Sequence, residues 1–309
     1  MRTLGKALVM GAAGVAAYKL VKRARRPDPA RYFRGASAVV TGGASGIGLA
    51  VVEQLYRYGA RLLVVDIDGD ALRRVREAYG VDTLELDCAA DGAPALMLEK
   101  AVERLGDVDV LFSNAGIVWA APFLAMTEAD IERLVTVNFT MQVKMTHAFL
   151  AYFLARGRGV IAYTGSLSSY VYSPMHSVYT GTKGGLNNFV HAVRRELPRG
   201  SKVQLTVVHP NLTKTNLVAS EVFDEVRRIY WLQTPEQVAA AFLEGVAEGR
   251  REVFVEVADY GFKWAERLVP AAIDKLFDVG VSDTMKRKGE AAVAESKLRK
   301  QLAAAEGSA

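Results

Sequence analysis

Seven short apolar runs alternate with longer stretches of helical periodicity between residues 37 and 255, and few folds accommodate that order. The apolar runs are Ser37–Thr41, Arg61–Asp66, Thr83–Leu86, Val108–Phe112, Val160–Thr164, Lys202–Val208 and Glu252–Val255. The helical stretches between them are Gly46–Tyr58, Asp70–Tyr79, Ala93–Leu105, Glu128–Leu154, Ser177–Leu197 and Pro235–Glu248. Most of the apolar runs are continuous, as in parallel strands that are covered on both faces. The sequence therefore predicts a single α/β domain with a doubly wound parallel sheet of about seven strands.

The positive charge of the chain is concentrated at its start. The 309 residues carry a formal net charge of +5, but residues 1–34 contain nine Lys and Arg residues against one acid, Asp28. This leader therefore has a net charge of +8, and the rest of the chain has a net charge of −3. A nucleic-acid-binding domain needs a basic face of its own. We therefore expect no nucleic-acid partner.

The leader combines an uncharged apolar segment, Ala7–Tyr18, with a basic cluster at residues 22–26. A helix over Ala7–Tyr18 rises about 18 Å and one over Thr3–Val21 about 28 Å, against about 30 Å for the hydrocarbon core of a bilayer. We expect a membrane anchor or a helix at the membrane surface, with the rest of the chain on the cytoplasmic side. A cleaved secretory signal, a mitochondrial presequence and a helix packed on a soluble cytoplasmic domain stay open as alternatives.

Two prolines, Pro27 and Pro29, separate the leader from the body of the chain. We expect three segments: the leader at 1–34, the α/β domain at 35–258, and a helical extension with a charged tail at 259–309. The single cysteine, Cys88, excludes an intramolecular disulfide and is compatible with a reducing compartment.

A glycine-rich loop, Thr41–Gly48, follows the first predicted strand directly and opens the first long helix. Gly42, Gly46 and Gly48 allow a tight turn and a close approach of the backbone to a pyrophosphate. The helix N-terminus adds unpaired N–H groups and a positive dipole end. An ordinary strand-to-helix turn is the alternative, but strand, loop and helix stand in the order that a dinucleotide site requires.

An acidic residue, Asp66, ends the second predicted strand, 18 residues after Gly48. A carboxylate at this place accepts hydrogen bonds from the adenosine ribose hydroxyls and repels a 2′-phosphate. Ser45 and Ile67 are neutral, so they supply no compensating cation. We therefore expect NAD rather than NADP, with a strand-end turn residue as the alternative interpretation of Asp66.

Tyr179 and Lys183 are four residues apart on a predicted helix, so they share one face. A free tyrosine has a pKa near ~10 and is a poor base at neutral pH. We expect the nearby ammonium to lower the pKa of Tyr179 and to make it a base for alcohol oxidation. Ser166, at the end of the fifth strand, is placed to hold the substrate oxygen. On this spacing alone, a surface pair on a helix would be the better interpretation.

Taken together, these motifs resemble the short-chain dehydrogenase/reductase family in its classical form, over residues 36–256. The motifs that match in order and spacing are Thr41–Gly48, Asn114-Ala-Gly116, Asn138, Ser166, Tyr179 and Lys183. The resemblance implies a Rossmann-type fold. It also implies that Tyr179 is the general acid/base, that Ser166 orients the reacting oxygen and that Lys183 binds the nicotinamide ribose. Asn138 would hold a water that connects Lys183 to solvent.

The resemblance also implies the cofactor contacts. The matching positions are Gly42, Ser45, Gly46, Ile47, Gly48, Asp66, Asp87, Cys88, Asn114, Gly116, Tyr179, Lys183, Pro210, Thr213 and Thr215. Asp87 and Cys88 would lie by the adenine, and Thr213 and Thr215 by the nicotinamide amide. The family usually has Pro-Gly where this chain has Pro210-Asn211. Since Asn tolerates unusual φ values, we expect an altered loop with cofactor binding retained.

Apolar residues predict a lipophilic alcohol or ketone as substrate. We expect them in a cover at Asn216–Leu232, at Trp119, Phe123 and Met126, and on one face of a helix over Phe262–Phe277 that is kinked at Pro270. In that helix the face is formed by Phe262, Val269, Ile273 and Leu276. The layout resembles, more loosely, membrane-anchored members related to 17β-hydroxysteroid and retinol dehydrogenases.

Two other functions remain open: reduction of a soluble carbonyl such as a 3-oxoacyl thioester, and NAD binding without turnover at a membrane. The family implies a homodimer or homotetramer built on the helices at 128–154 and 177–197. His147, His176, His191 and His209 form no cluster with metal-ligand spacing, so we expect no metal and interpret them as surface or core histidines.

Overall fold

A computed structural model describes residues 27–215 and 232–280 of the chain. The predicted anchor within residues 1–26, the predicted cover at 216–231 and the charged end at 281–309 lie outside these ranges. In the part of the chain that is described, no helix combines the length and the apolar character needed to cross a bilayer.

Seven parallel strands form one sheet, which confirms the predicted α/β fold. The strands are β1 Ser37–Thr41, β2 Arg61–Asp66, β3 Asp82–Glu85, β4 Val110–Ser113, β5 Arg158–Thr164, β6 Lys202–His209 and β7 Glu252–Phe254. Their order is β3-β2-β1-β4-β5-β6-β7 and every neighbouring pair is parallel. The order reverses between β1 and β4, which is where such sheets bind ligands at the carboxyl ends of their strands.

Helices cover both faces of the sheet. They are α1 Pro29–Phe33, α2 Gly46–Arg57, α3 Gly69–Tyr79, α4 Ala93–Leu105, α5 Glu128–Val135, α6 Met141–Arg156, α7 Ser177–Glu196, α8 Pro235–Ala247, α9 Val257–Leu268 and α10 Pro270–Gly280. On one face α2 and α8 pack on the sheet, where Phe242 meets Phe112 edge-on at 5.3 Å between ring centroids. On the other face α4, α6 and α7 bury Met97, Phe149 and Leu186.

The helix predicted at Glu128–Leu154 is interrupted by one π turn, Thr136–Thr140, between α5 and α6. At its end the Met141 N–H donates to Thr136, five residues earlier. Within the turn, Asn138 donates to the Ile117 carbonyl at 2.8 Å and accepts from the Ile117 N–H at 2.9 Å. These two bonds hold the turn wide against the loop after β4. Single π turns of this kind are frequent at functional sites.

The C-terminal segment forms two helices, α9 and α10, rather than one kinked helix. Pro270 begins α10, a position at which the missing N–H costs no hydrogen bond. Ile273 is buried but does not line the cavity, and Val269 lies between the helices with non-helical backbone and is 52% exposed. The side chain of Leu276 lies outside the described residues.

Candidate active site

A cavity of about 780 Å³ opens at the carboxyl ends of the central strands. It is lined by every residue that the sequence predicts for catalysis or cofactor binding, except Gly48 and Asn138. These two residues lie behind the cavity wall. Gly48 packs against the backbone of Gly42, and Asn138 is fully buried. The fold therefore brings the predicted residues together around one space.

The glycine loop has the shape that a pyrophosphate requires. Gly42 and Gly46 have φ values of +61° and +53°, which other residues rarely adopt. A Cβ on Gly48 would lie 2.0 Å from the Gly42 carbonyl oxygen. Helix α2 starts with Ser45 as its N-cap, and the Ser45 side chain makes no capping hydrogen bond. The first N–H groups of α2 thus face the loop without a side-chain acceptor, and an anion fits there.

Asn114 holds the glycine loop to the sheet. Its Nδ2 donates to the carbonyls of Thr41 and Gly42, both at 3.1 Å, and its Oδ1 accepts from the Thr164 hydroxyl at 2.9 Å. The side chain therefore joins the ends of β1 and β5. Asn114 therefore has a structural role, and it also lies at the cavity wall.

Asp66 lies at the wall of the cavity beside the glycine loop. Its Oδ2 accepts from the Ala44 N–H at 3.0 Å, and its Oδ1 accepts from the Asp68 N–H at 3.2 Å. The Lys and Arg side chains among the described lining residues are Lys183 and Arg133, and both come from other elements. The carboxylate thus lies beside the predicted ribose position with no cation in the adjacent sequence.

The next strand end supplies Asp87 and Cys88. Asp87 accepts from the Ala89 N–H at 2.9 Å, which shapes this corner of the cavity. Burial, followed by the charges of Asp87 and Asp66, raises the pKa of the Cys88 thiol to about 12. Because a thiol with so high a pKa stays protonated, Cys88 is a wall residue rather than a nucleophile.

Ser166, Tyr179 and Lys183 meet in the middle of the cavity wall. Ser166 follows β5 and caps the short turn Leu167–Ser169, its Oγ accepting from the Ser168 N–H at 3.1 Å. Tyr179 and Lys183 lie on successive turns of α7, with Nζ 5.8 Å from the tyrosine ring centroid. The ammonium donates to the Thr164 carbonyl at 2.9 Å.

The expected effect of Lys183 on the pKa of Tyr179 is not what the structure shows. Burial raises the pKa of Tyr179, and the hydrogen-bonding influence of Ser166 offsets this only in part. Lys183 is 4% exposed, and burial lowers its pKa to about 8. The prediction was wrong because it considered charge alone. Both groups are desolvated, and the ammonium bonds a carbonyl rather than the phenol.

Asn138 stands directly behind Lys183. A Cβ on Gly116 would lie 3.2 Å from Asn138 Oδ1 and 3.5 Å from Lys183 Nζ. Any larger residue at position 116 would therefore press on both polar atoms. The absence of a side chain at Gly116 brings the loop after β4, the π turn and α7 into contact.

Asn211 has no positive φ, so the tolerance of Asn for unusual φ values is not used here. Its side chain instead donates to Asp259 Oδ1 at 3.2 Å, and its N–H donates to Gln233 Oε1 at 3.0 Å. Gln233 donates in turn to Asp259 Oδ2 at 2.7 Å. Asn211 thus ties the loop of Pro210 and Thr213 to a buried carboxylate on α9.

Sequence reasoning placed some apolar lining correctly and some wrongly. Phe262 does line the cavity, whereas Trp119, Phe123 and Met126 do not, and Trp119 and Phe123 are more than half exposed. The lining residues that were missed include Val118, Arg133, Leu167, Val171, Met175, His176, Leu212 and Phe277. No sequence motif marks them, since they come from loops and helices that meet only in the folded chain. In the structure Met175 has a φ of +66°, which is uncommon for a residue with a side chain.

Among the described residues, no group of His, Cys, Asp and Glu side chains has a metal-binding arrangement. The site therefore offers hydrogen-bonding and ionisable groups around a mostly apolar space. Its lining includes Asp66 and Asp87, the glycine loop, Ser166 and Tyr179.

Comparison with known proteins agrees with this geometry. The family model described as short chain dehydrogenase matches residues 36–225. The SadH protein of Mycobacterium tuberculosis, described as an oxidoreductase, is 32% identical over 269 residues, covering 81% of this chain and 96% of SadH. The L-xylulose reductase of Bos taurus is 34% identical over 185 residues, covering 59% of this chain and 73% of the reductase. A Burkholderia phymatum short chain dehydrogenase/reductase crystallised with NAD shares the fold, with 21% identity, a TM-score of 0.69 and coverage of 76% and 94%.

Proposed function

We propose, since the chain belongs to the short-chain dehydrogenase/reductase family, that it interconverts an alcohol and its carbonyl with NAD as cofactor. The family consists of oxidoreductases. The observation that carries the proposal for this chain is the convergence of Ser166, Tyr179 and Lys183 on the cavity that the glycine loop and Asp66 also line.

The residues that fit a dinucleotide are the glycine loop with the N-terminus of α2, then Asp66 and Asp87, and finally Lys183 and Thr213. A bound nicotinamide ring accepts hydride from an alcohol or supplies it to a carbonyl. Tyr179 takes the proton of the substrate hydroxyl as a phenolate, and in the reverse direction it gives its own phenolic proton to the carbonyl oxygen. Ser166 holds the same substrate oxygen by a hydrogen bond. Lys183, fixed on Thr164, supplies positive charge beside the phenol when it is protonated.

Asp66 supports NAD over NADP. Two backbone N–H groups fix its carboxylate, which lines the cavity. A 2′-phosphate here would meet a negative charge at close range. The neighbouring Ile67 is exposed and neutral, so it does not compensate.

A lipophilic substrate is supported by apolar residues in the lining of the cavity. They include Val118, Leu167, Val171, Leu212, Phe262 and Phe277. Such a wall contributes binding energy only if the substrate carries apolar surface of its own. Arg133 and the naming of one relative as an L-xylulose reductase favour a polar carbonyl compound as the second candidate.

A membrane surface as partner is supported by the outer face of α9. Val257, Tyr260, Trp264 and Leu268 are exposed at intervals of three or four residues, so they form one apolar stripe. Phe262 on the inner side of the same helix lines the cavity. Aromatic residues on such a stripe are typical of helices that lie in the interface. We therefore propose that α9, together with the basic leader, holds the cavity close to a lipid surface.

The catalytic proposal is tested with Tyr179→Phe and the matched control Tyr172→Phe, which alters an exposed tyrosine outside the cavity. NADH formation is followed with hydroxysteroids, retinol, long-chain alcohols and polyols, and NADH consumption is followed with polar carbonyl compounds. We expect Tyr179→Phe to lose turnover and Tyr172→Phe to keep it. Full turnover by Tyr179→Phe would contradict the assignment, and activity confined to polar compounds would select the second candidate substrate class.

The membrane proposal is tested by sedimentation with anionic phospholipid vesicles. The full chain and a Trp264→Gln/Leu268→Gln variant are compared. We expect the variant to sediment less, with the activity on a soluble substrate unchanged. Equal sedimentation of both proteins would remove α9 from the proposal.

A further inference from the structure

A buried glutamine, Gln142, lies one helical turn after Asn138, at the start of α6. Its side chain is fully buried and does not line the cavity, although the neighbouring Met141 does. No motif of the sequence includes Gln142, and neither hydride transfer nor proton transfer uses it. A buried side-chain amide needs partners for both its oxygen and its nitrogen. The partners of Gln142 therefore show what it holds.

Both partners belong to the end of β4 and the loop after β4. Gln142 Nε2 donates to the Ala115 carbonyl at 2.9 Å, and Gln142 Oε1 accepts from the Ser113 hydroxyl. Because a carbonyl oxygen only accepts hydrogen bonds, the nitrogen of the amide must be the atom that faces Ala115. An ionised carboxylate in the same place would direct an oxygen at that carbonyl.

The loop after β4 is attached to its surroundings at three successive places. The Thr41 hydroxyl accepts from the Ala115 N–H at 3.1 Å, and Asn138 both donates to and accepts from the main chain of Ile117. Between these two attachments, Gln142 is the residue that bonds the Ala115 carbonyl within the described part of the chain. Gln142 therefore sets the direction of that carbonyl.

The segment that Gln142 holds is packed between the two halves of the site. A Cβ on Gly42 would lie 3.0 Å from the Ala115 Cα, so the glycine loop and Ala115 pack closely. A Cβ on Gly116 would lie 3.5 Å from Lys183 Nζ. A change in the direction of the Ala115 carbonyl would therefore displace backbone that lies against both the glycine loop and Lys183.

The same hydrogen bond also sets the direction of a main-chain donor. The peptide bond between Ala115 and Gly116 is trans, so the Gly116 N–H points away from the carbonyl that Gln142 holds. The Gly116 N–H has no acceptor among the described residues, and Gly116 lines the cavity. This N–H is therefore available to an oxygen of a molecule in the cavity.

We propose that Gln142 is a positioning residue for the cofactor: by holding the Ala115 carbonyl, it keeps the loop after β4 in the shape that binds NAD and leaves the Gly116 N–H free to donate to a cofactor oxygen. This inference rests on the proposed function, because it takes NAD as the molecule in the cavity. It makes α6 part of the cofactor site through a side chain that does not reach the cavity.

The substitution Gln142→Glu tests the hydrogen bond to Ala115, because a carboxyl group is almost the same size as the amide. When it is protonated, the carboxyl group donates to the Ala115 carbonyl and accepts from Ser113, as the amide does. When it is ionised, it repels the Ala115 carbonyl. Burial raises the pKa of a carboxyl group towards about 8 or 9, so one variant offers both states between about pH 5.5 and about pH 9.

Calorimetric titration with NAD⁺ compares this variant with the wild-type protein in the absence of substrate. We expect equal affinity at about pH 5.5 and an affinity about tenfold or more below wild type at about pH 9, since small displacements of aligned groups have effects of at least that size. The wild-type protein is the reference at each pH because Lys183, with a pKa of about 8, also titrates in this range. Tyr163 does not, since burial raises its pKa well above its usual range.

Thr146→Val is the matched control, one turn further along α6. Thr146 is 2% exposed and donates to the main-chain carbonyl of Gln142 at 2.7 Å, and its other partner is Tyr163 rather than the loop after β4. The variant should be less stable but keep wild-type affinity for NAD⁺ at both pH values. Three results would overturn the proposal: wild-type affinity of Gln142→Glu at the higher pH, equal weakening at both pH values, or equal weakening in Thr146→Val.

A measurement on the unaltered side chain covers the case in which Gln142→Glu does not fold. The dipeptide Ala-Gly occurs in the sequence only at 13–14 and 115–116. Labelling Ala at its carbonyl carbon and Gly at its nitrogen therefore selects two amide signals in NMR, and Gly14→Ala identifies the one from Gly116. We expect saturation with NAD⁺ to move the Gly116 signal, and an unmoved signal would contradict the positioning role.

The positioning role and the proposed function fail in different ways. Wild-type protein that binds no NAD⁺ overturns the proposed function and this inference with it. Full turnover in Tyr179→Phe overturns the catalytic assignment and leaves the binding results valid. NAD⁺ binding by the wild-type protein that Gln142→Glu does not weaken at the higher pH overturns the positioning role alone.

Discussion

Lys183, for which we propose a role in catalysis, is expected to lower the free energy of unfolding of the protein. Burial lowers the pKa of its ammonium from 10.5 to about 8, and the residue is 4% exposed. A pKa difference of about 2.5 is equivalent to about 3 kcal/mol of unfolding free energy lost near neutral pH. Lys183→Met removes this penalty but leaves the Thr164 carbonyl without its donor, which costs about 1 kcal/mol. The variant should therefore be about 2 kcal/mol more stable than the wild-type protein, and it should lose turnover.

The pH dependence of this difference identifies its cause. Because the pKa of Lys183 is lower in the folded than in the unfolded chain, the penalty is complete below about pH 8 and disappears as the pH rises towards 10.5. Urea denaturation at about pH 7 and about pH 9.5 should show the advantage of Lys183→Met shrinking at the higher pH. Lys202→Met, which replaces an exposed lysine, is the control and should change stability by less than about 0.5 kcal/mol. A Lys183→Met protein that is less stable than wild type at about pH 7, or a difference that is the same at both pH values, would refute the reasoning.

Three further substitutions test the cofactor half of the site. Asp66→Asn keeps an acceptor for the Ala44 N–H but removes a charge that repels a phosphate by about 1 to 4 kcal/mol per unit charge at about 4 Å. The KM for NADP⁺ should therefore fall at least tenfold, while the KM for NAD⁺ rises. An unchanged ratio of the two KM values would contradict the role of Asp66. Gly48→Ala places a methyl group where a Cβ lies 2.0 Å from the Gly42 carbonyl, so calorimetry should detect no NAD⁺ binding, and binding of wild-type strength would show that the loop adapts. Asn211→Gly introduces the residue usual in the family but removes a hydrogen-bond donor to buried Asp259. It should lower the free energy of unfolding by about 1–3 kcal/mol and raise the KM for NAD⁺. If neither quantity changes, Gln233 alone holds Asp259.

The sheet could be predicted from the sequence because its signals are local. Continuous apolar runs located all seven strands, with ends that agree with the structure within about two residues. The glycine loop and the pair Tyr179 and Lys183 were equally accessible, because each depends on spacing within one strand–helix junction or one helix. Five of the six helices predicted between the strands also needed no correction beyond their ends.

The interactions that the sequence did not reveal join residues far apart in the chain. Asn211 and Asp259 are separated by 48 residues, and Ser166 and His209 by 43. No periodicity connects such pairs, and each side chain alone is compatible with a loop or a surface. The pKa of Tyr179 was predicted with the wrong direction for a related reason. Spacing reports which charges are close, whereas desolvation depends on what the whole fold places around them.

Two of these long-range contacts lead to the same helix, and this makes α9 part of the active site. Asp259 holds Asn211 in the loop of Pro210 and Thr213, and Lys263, four residues later, holds Glu252. Glu252 lies beside His209, which is bonded to the Ser166 carbonyl from behind. Residues four apart lie on one face of a helix, and Phe262 beside them lines the cavity. The boundary predicted after residue 258 therefore falls inside a helix whose inner face contacts the loop of Pro210 and Thr213 and the carboxylate of Glu252. A surface that binds the outer stripe of α9 is therefore connected through this helix to the loop of Pro210 and Thr213 and to the residues behind Ser166.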